Sequence, residues 1–417
     1  MIRNAPNRRP PDAPRTRPAL AAPLPLLRAA GLVVGLAVGL TATVAAGLAA
    51  GGGASAAASP PPERPVDFQA PDASGALPVR SPESDSTVRR AAGVDPAPAV
   101  GLRTLRIPTP GRDAPLDATL WYPASPGGTP VDVGTDAVFV GSPAHRDAPF
   151  APGAHPLVAV SHGGGGNPGQ YGWIANALVA AGFAVVAPAH PGSTTGDASP
   201  AEAVKLWRRP GHVSATLDAL LADPALAGRL DPERIGALGF SAGGHTALAL
   251  VGARTDAQKL AGFCDGDGGG MSDCAFLAAG GIDLHAIDLS PAADDLSDRR
   301  VRSAVVVDPG TVETLEPTSL ERVDVPVLFL NLGRPGEIPR AVDAAAAARR
   351  VPGATYVTVA GATHFSFLPE CTAKGPAILA EEGEPDALCG QGGGRARGEL
   401  HRELGERIAA RFERTLR

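Results

Sequence analysis

Beyond residue 98, short apolar runs alternate with stretches whose apolar positions recur at helical spacing. The runs 102–107 and 116–122, joined by Pro108-Thr109-Pro110-Gly111-Arg112, predict an antiparallel hairpin. Continuous Val/Ile/Leu/Ala runs at 156–161, 183–187, 234–240, Val301–Val307, Val327–Leu332 and Thr355–Val359 predict buried strands. Helical periodicity falls near 170–181, 201–206, 213–222, 243–251, 340–350 and 399–414. Strand and helix in alternation predict an α/β protein with a doubly wound, mostly parallel sheet. In such sheets ligands bind in the crevice beyond the carboxyl ends of the strands, so the residues just after strands are the informative ones.

The N-terminus follows another pattern. Residues 1–28 hold six arginines and one acid, Asp12, followed by an uncharged, mostly apolar run over 29–50 and then Ala54-Ser55-Ala56. Basic region, apolar region and small-x-small site make a secretory signal over residues 1–56. The run is also long enough to span a bilayer, so an uncleaved membrane anchor is the alternative. Either way the rest of the chain is expected outside the cytoplasm, secreted or periplasmic. Residues 57–98, rich in Pro, Ser and charge without apolar periodicity, read as a disordered linker. Residues 99–417 remain as one catalytic-size domain.

Charge sharpens this division. The whole chain has 37 basic and 43 acidic side chains, but without residues 1–56 the count becomes 31 against 42, a net of −11. An acidic domain with no basic stripe argues against nucleic acid as a partner. The four cysteines, Cys264, Cys274, Cys371 and Cys389, all lie in this domain. An even number in an exported chain favours disulfides. Local pairing, 264 with 274 and 371 with 389, is preferred because each pair brackets a loop-like stretch. No Cys-x-x-Cys or His-rich spacing supports a zinc site, and no metal or cofactor is expected.

The candidate chemistry begins at Gly239-Phe240-Ser241-Ala242-Gly243, between a predicted strand and a predicted helix. A serine in that strained corner is exposed as a nucleophile, and its glycines admit close backbone packing. A hydroxyl at its free pKa needs a base. His364 follows the last predicted strand and has the chain order the role requires. The imidazole needs an acid to orient it, and two positions compete. Asp308 ends the strand Val301–Val307; Glu337 lies in the Arg-containing loop after Val327–Leu332. Asp308 is favoured because it needs no loop excursion. Oxyanion donors are expected from the N–H of Ala242 and from the loop Ser161-His162-Gly163-Gly164-Gly165-Gly166.

With these positions in place, the chain resembles the α/β-hydrolases, and among them the dienelactone-hydrolase-like group related to platelet-activating-factor acetylhydrolases. The resemblance covers nearly all of residues 99–417. It rests on Leu120-Trp121-Tyr122-Pro123-Ala124, Ser161-His162-Gly163, His190-Pro191-Gly192, Arg209-Pro210, the Ser241 corner, Val307-Asp308-Pro309 and His364-Phe365-Ser366-Phe367-Leu368. It implies an α/β-hydrolase fold, the acid at Asp308 and the second oxyanion donor at Gly164. Dienelactone hydrolases use a cysteine nucleophile, so Ser241 argues against carrying over their lactone specificity. Secreted polyesterases place the acid one strand later, where this chain has the Arg334 loop.

Residues 255–298 exceed what the plain fold needs and are expected to form a cap or lid loop closed by Cys264–Cys274. Asp265, Asp267 and Asp273 lie there among glycines, but the spacing and terminal Glu of a calcium loop are missing. The expectation is an exported serine esterase acting on a small-molecule or lipid ester. An acyltransferase using the same residues, or a non-catalytic binding protein of the same fold, are the alternatives.

Overall fold

The computed structural model describes residues 98–108, 115–383, 388–390 and 393–416. The signal or anchor expected over 1–56, and all but the last residue of the linker expected over 57–98, lie outside the described residues. Ten strands form one sheet in the order β12-β11-β10-β9-β5-β6-β2-β1-β4-β3. In chain order they are β1 (Ala99–Ile107), β2 (Leu116–Ala124), β3 (Thr129–Val133), β4 (Ser142–Arg146), β5 (His155–Ser161) and β6 (Ala184–Pro188). A separate two-residue ribbon, β7 (Ser193–Thr194) with β8 (Asp197–Ala198), precedes β9 (Leu230–Phe240), β10 (Val301–Val307), β11 (Val327–Leu332) and β12 (Thr355–Val359). From β12 to β6 every neighbouring pair is parallel. The expected hairpin closes in register, Ile107 opposite Leu116, and joins β6 antiparallel through β2.

The helices are α1 (Gly172–Ala180), α2 (Pro200–Ala203), α3 (Arg209–Ala222), α4 (Ala242–Leu250), α5 (Ala257–Ala261), α6 (Asp273–Ala279), α7 (Pro317–Leu320), α8 (Ala345–Arg350), α9 (Gly375–Glu381) and α10 (Arg397–Thr415). They cover both faces of the sheet, and strand alternation divides the core accordingly. In β10, Ala304 and Val306 face the core shared with α3, α4 and α8, while Val305 and Val307 face the one shared with α1 and α10. Strands buried on both sides need apolar residues at every position, which is why they read as unbroken runs. On α10, Leu400, Leu404, Ile408 and Phe412 recur at i+4 and are all buried against the sheet.

Several expectations change. The single helix expected over 340–350 breaks into a 3-10 turn, Arg340–Val342, followed by the short α8. Asn331 intervenes there: its Nδ2 donates to Val342 O at 2.7 Å and its Oδ1 accepts from Ala344 N at 2.8 Å. The helix expected over 201–206 is the one-turn α2, followed by a 3-10 turn at Leu206–Arg208. Strands β3 and β4 and helix α9 were not expected.

The segment 255–298 is more than a loop. Helices α5 and α6 pack Leu260, Phe263, Leu277, Leu284 and Leu289 with Val204 into a small core of their own. Both local disulfides are present, Cys264–Cys274 within this cap and Cys371–Cys389 beside α9. Among the described residues no helix is long and apolar enough to cross a membrane.

Candidate active site

The direction of winding reverses beside β5, which has β6 on one side and β9 on the other. The loops leaving β5 and β9 therefore part at a switch point, the place where such sheets bind ligands. Ser161 ends β5 and Ser241 follows β9. Ser241 has φ 55° and ψ −123°, a conformation a side chain adopts only when its surroundings enforce it. The enforcement is visible at the neighbouring glycines. A Cβ on Gly239 would lie 1.8 Å from Gly243 O, and one on Gly243 would lie 1.8 Å from Ser161 O. Only glycine lets β9, α4 and the β5 loop approach this closely.

Asp308, directly after β10, also has positive φ, 43°. Its side chain is fully buried. Oδ1 accepts from Asn331 Nδ2 at 2.7 Å and from Leu332 N at 2.9 Å, which leaves Oδ2 for His364 Nδ1 at 2.9 Å. The proton that bond requires sits on Nδ1, so Nε2 of a neutral imidazole is free to accept one. His364 begins a 3-10 turn after β12, held by reciprocal Thr363 and Ser366 bonds, and its ring packs on Phe240 at 4.7 Å. Glu337 is elsewhere: it is exposed and pairs with Arg334. Of the two candidate acids, the structure brings Asp308 to the imidazole and leaves Glu337 on the surface.

Ser241, Ala242, His364, Gly163 and Gly164 line one cavity of about 240 Å³. Its remaining wall is largely apolar, with Val138, Phe139, Phe263, Phe276, Phe365 and Leu388 among the lining residues. The Ser241 hydroxyl has no hydrogen-bond partner among the described residues; in the absence of substrate such contacts are commonly open. The N–H groups of Gly164 and Ala242 likewise have no acceptor among the described residues, and Ala242 is the first residue of α4, where an N–H has no helical partner.

The Gly164 N–H is aimed by a buried polar cluster that sequence reasoning did not assign. His190 N donates to His162 Nε2 at 3.1 Å, so His162 carries its proton on Nδ1 and donates it to Gly163 O at 2.7 Å. In a trans peptide the carbonyl of Gly163 and the N–H of Gly164 point opposite ways. Holding the carbonyl inward turns the N–H outward. Burial, reinforced by the charge of Arg209, lowers the His162 pKa to about 3, which keeps this ring neutral and its tautomer constant. Arg209, also buried, donates to His162 O at 2.6 Å and to the Ser193 hydroxyl. Tyr171 accepts from Gly163 N at 2.9 Å, and Ser161 Oγ meets His190 Nε2 at 2.8 Å. The sequence signal was present: Arg209, His162 and His190 lie in segments otherwise patterned for burial.

The three acids weighed as a calcium loop diverge. Asp265 pairs with His285 and Asp267 with Arg340, each at 2.7 Å, while Asp273 lines the cavity.

No protein-family profile and no curated protein matches this chain. Solved structures do. A ferulic acid esterase from Streptomyces cinnamoneus superposes with a TM-score of 0.53 at 22% identity, covering 78% of this chain and 92% of that one. A puromycin-hydrolyzing peptidase of Mycobacterium tuberculosis gives 0.42 at 17% identity, over 76% of this chain and 39% of that one. A Pyrobaculum calidifontis esterase gives 0.38 at 16%, over 75% and 84%. The strand order, the strained strand-to-helix corner at its switch point and the first of these superpositions together identify the chain as an α/β-hydrolase-fold protein.

Proposed function

We propose that the protein is an exported serine esterase that cleaves carboxylic esters through Ser241, His364 and Asp308. The observation that carries this reading is the opening of Ser241 and the Asp308-held imidazole onto one largely apolar cavity. Ser241 Oγ attacks the ester carbonyl carbon while His364 Nε2 takes its proton. Asp308 holds the ring and stabilises the imidazolium. The N–H groups of Gly164 and Ala242 receive the charge that develops on the carbonyl oxygen. The carbon–oxygen bond to the alcohol breaks, and the alcohol departs with the proton from His364. A water, deprotonated by His364, then hydrolyses the acyl-enzyme and returns Ser241 to its starting state. No step calls on a cofactor or metal. Disulfides on two surface segments support export, because such bonds persist in oxidising compartments. Short p-nitrophenyl esters test the reading: the wild type hydrolyses them and Ser241→Ala does not. Equal turnover by both proteins would overturn it.

A further inference from the structure

Two carboxylates line the cavity that holds Ser241 and His364, and their circumstances differ. Asp136 is engaged by its own turn: Oδ1 accepts from Val138 N at 2.8 Å and Phe139 N at 2.7 Å. Asp273 has no ion-pair or side-chain partner among the described residues. It starts α6 and adjoins Cys274, so the disulfide to Cys264 anchors it in the cap. The other two acids of that bridged segment are paired outside the cavity, with His285 and Arg340. No lysine or arginine lines the cavity among the described residues.

We infer that Asp273 is a specificity residue of the cavity, selecting esters whose acyl or alcohol part carries a hydrogen-bond-donating group, most strongly a cation, and rejecting anionic ones. This rests on the esterase reading of the same site. The physical reason is that Asp273 brings an unpaired negative charge to a largely apolar cavity whose lining, among the described residues, holds no lysine or arginine to offset it. Asp273 is itself exposed to solvent; packing around the carboxylate raises its pKa, although the charges of His364 and Arg209 act in the opposite direction. Neither of those groups is a partner for it. His364 Nδ1 is taken by Asp308, and Arg209 donates to the β5 loop. A substrate ammonium or hydroxyl placed here would satisfy the carboxylate, and hydrogen bonds to charged groups are the strong ones. A substrate carboxylate would instead bring two like charges close together at the cavity wall. One such polar group in an apolar pocket is how small-molecule sites set orientation and choice.

The test uses the full chain and three p-nitrophenyl benzoates that differ only at the ring's 4-position: ethyl, aminomethyl (cationic at pH 7.5) and carboxymethyl. The matching substituted phenyl acetates carry the same groups on the alcohol side. In the wild type, kcat/KM for the cationic ester of at least one series exceeds that of the ethyl ester by about tenfold or more, and the anionic ester falls below it. Asp273→Asn brings the three values to within about threefold, and Asp273→Lys reverses their order. Identical ratios in wild type and both variants overturn the inference while leaving the esterase reading intact. Failure of the wild type to hydrolyse any of the six esters overturns both.

Discussion

A carboxylate with both oxygens occupied is a fixed object, and Asp308 is one. Asn331, Leu332 and His364 account for its hydrogen bonds, and it has no exposure through which water could substitute. Asp308→Asn preserves the shape but presents an amide to Nδ1, favouring the wrong tautomer. It should lower kcat by about 10⁴-fold. Glu337→Gln alters only an exposed pair, so kcat should stay within about twofold. The reverse result would move the acid to Glu337. His162 is held on both ring nitrogens in the same way. His162→Gln has no donor at the Nδ1 position that holds Gly163 O, and the Gly164 N–H loses its aim. Kcat for a short ester should fall by about 10²-fold with little change in KM, because the donor acts on charge present only in the transition state. The melting temperature reports whether the fold survives. A native-like melt with kcat unchanged would dismiss this role. The strand-end positions of Ser241, Asp308 and His364 were legible because each follows a continuous apolar run. His162 and Arg209 were not, because their roles depend on which backbone atoms tertiary folding brings beside them.

Among the elements, the central strands were the most legible. Val301–Val307, Val327–Leu332 and Thr355–Val359 occupy the expected residues because burial on both faces leaves no polar position to blur their ends. The sheet's far edge was the least legible. Strands β3 and β4 are short, and each carries a proline, Pro130 and Pro143. A proline lowers strand propensity and is tolerated where pairing is incomplete, so local pattern gives no strand there. The cap was legible as an insertion but not as a folded unit, since its core draws on Val204, distant in sequence. Its Cys264–Cys274 bridge closes a loop of sequence separation 10, which by chain entropy contributes roughly 2–3 kcal/mol to the order of the segment. The double variant Cys264→Ala/Cys274→Ala should therefore admit protease within residues 265–273 and raise KM several-fold, with kcat at saturation much less affected. Unchanged KM and undiminished resistance to protease would show that the cap is held by its apolar contacts alone.

For the molecule as a whole, the buried histidines set an acid limit. Burial is the largest cause lowering the pKa of His162 to about 3, His245 and His401 to about 4, and His190 well below 6.5. Above pH 6.5 these groups are neutral whether the chain is folded or not, and they leave stability independent of pH. Below it the unfolded chain takes up protons that the folded chain refuses. Each then costs up to about 1.4 kcal/mol per pH unit until the folded pKa is reached. Carboxylates held low by ion pairs, such as Asp298 with Arg300, add a loss of the same sign at lower pH. The melting temperature should be flat from pH 8 to 7 and drop steeply between pH 6 and 4. A melt as high at pH 4.5 as at pH 7 would mean that these rings are not held neutral.

The proposed mechanism requires Ser241 as the nucleophile, and covalent titration addresses that directly. The full chain is treated with a fluorophosphonate in substoichiometric steps. Residual hydrolysis of a short p-nitrophenyl ester is measured at each step, and the adduct is located by peptide mass spectrometry. The expected result is one adduct, on Ser241, with hydrolysis lost in proportion and reaching zero near one equivalent. Hydrolysis that persists after Ser241 is fully labelled, or that is lost with the adduct on another residue, would contradict it.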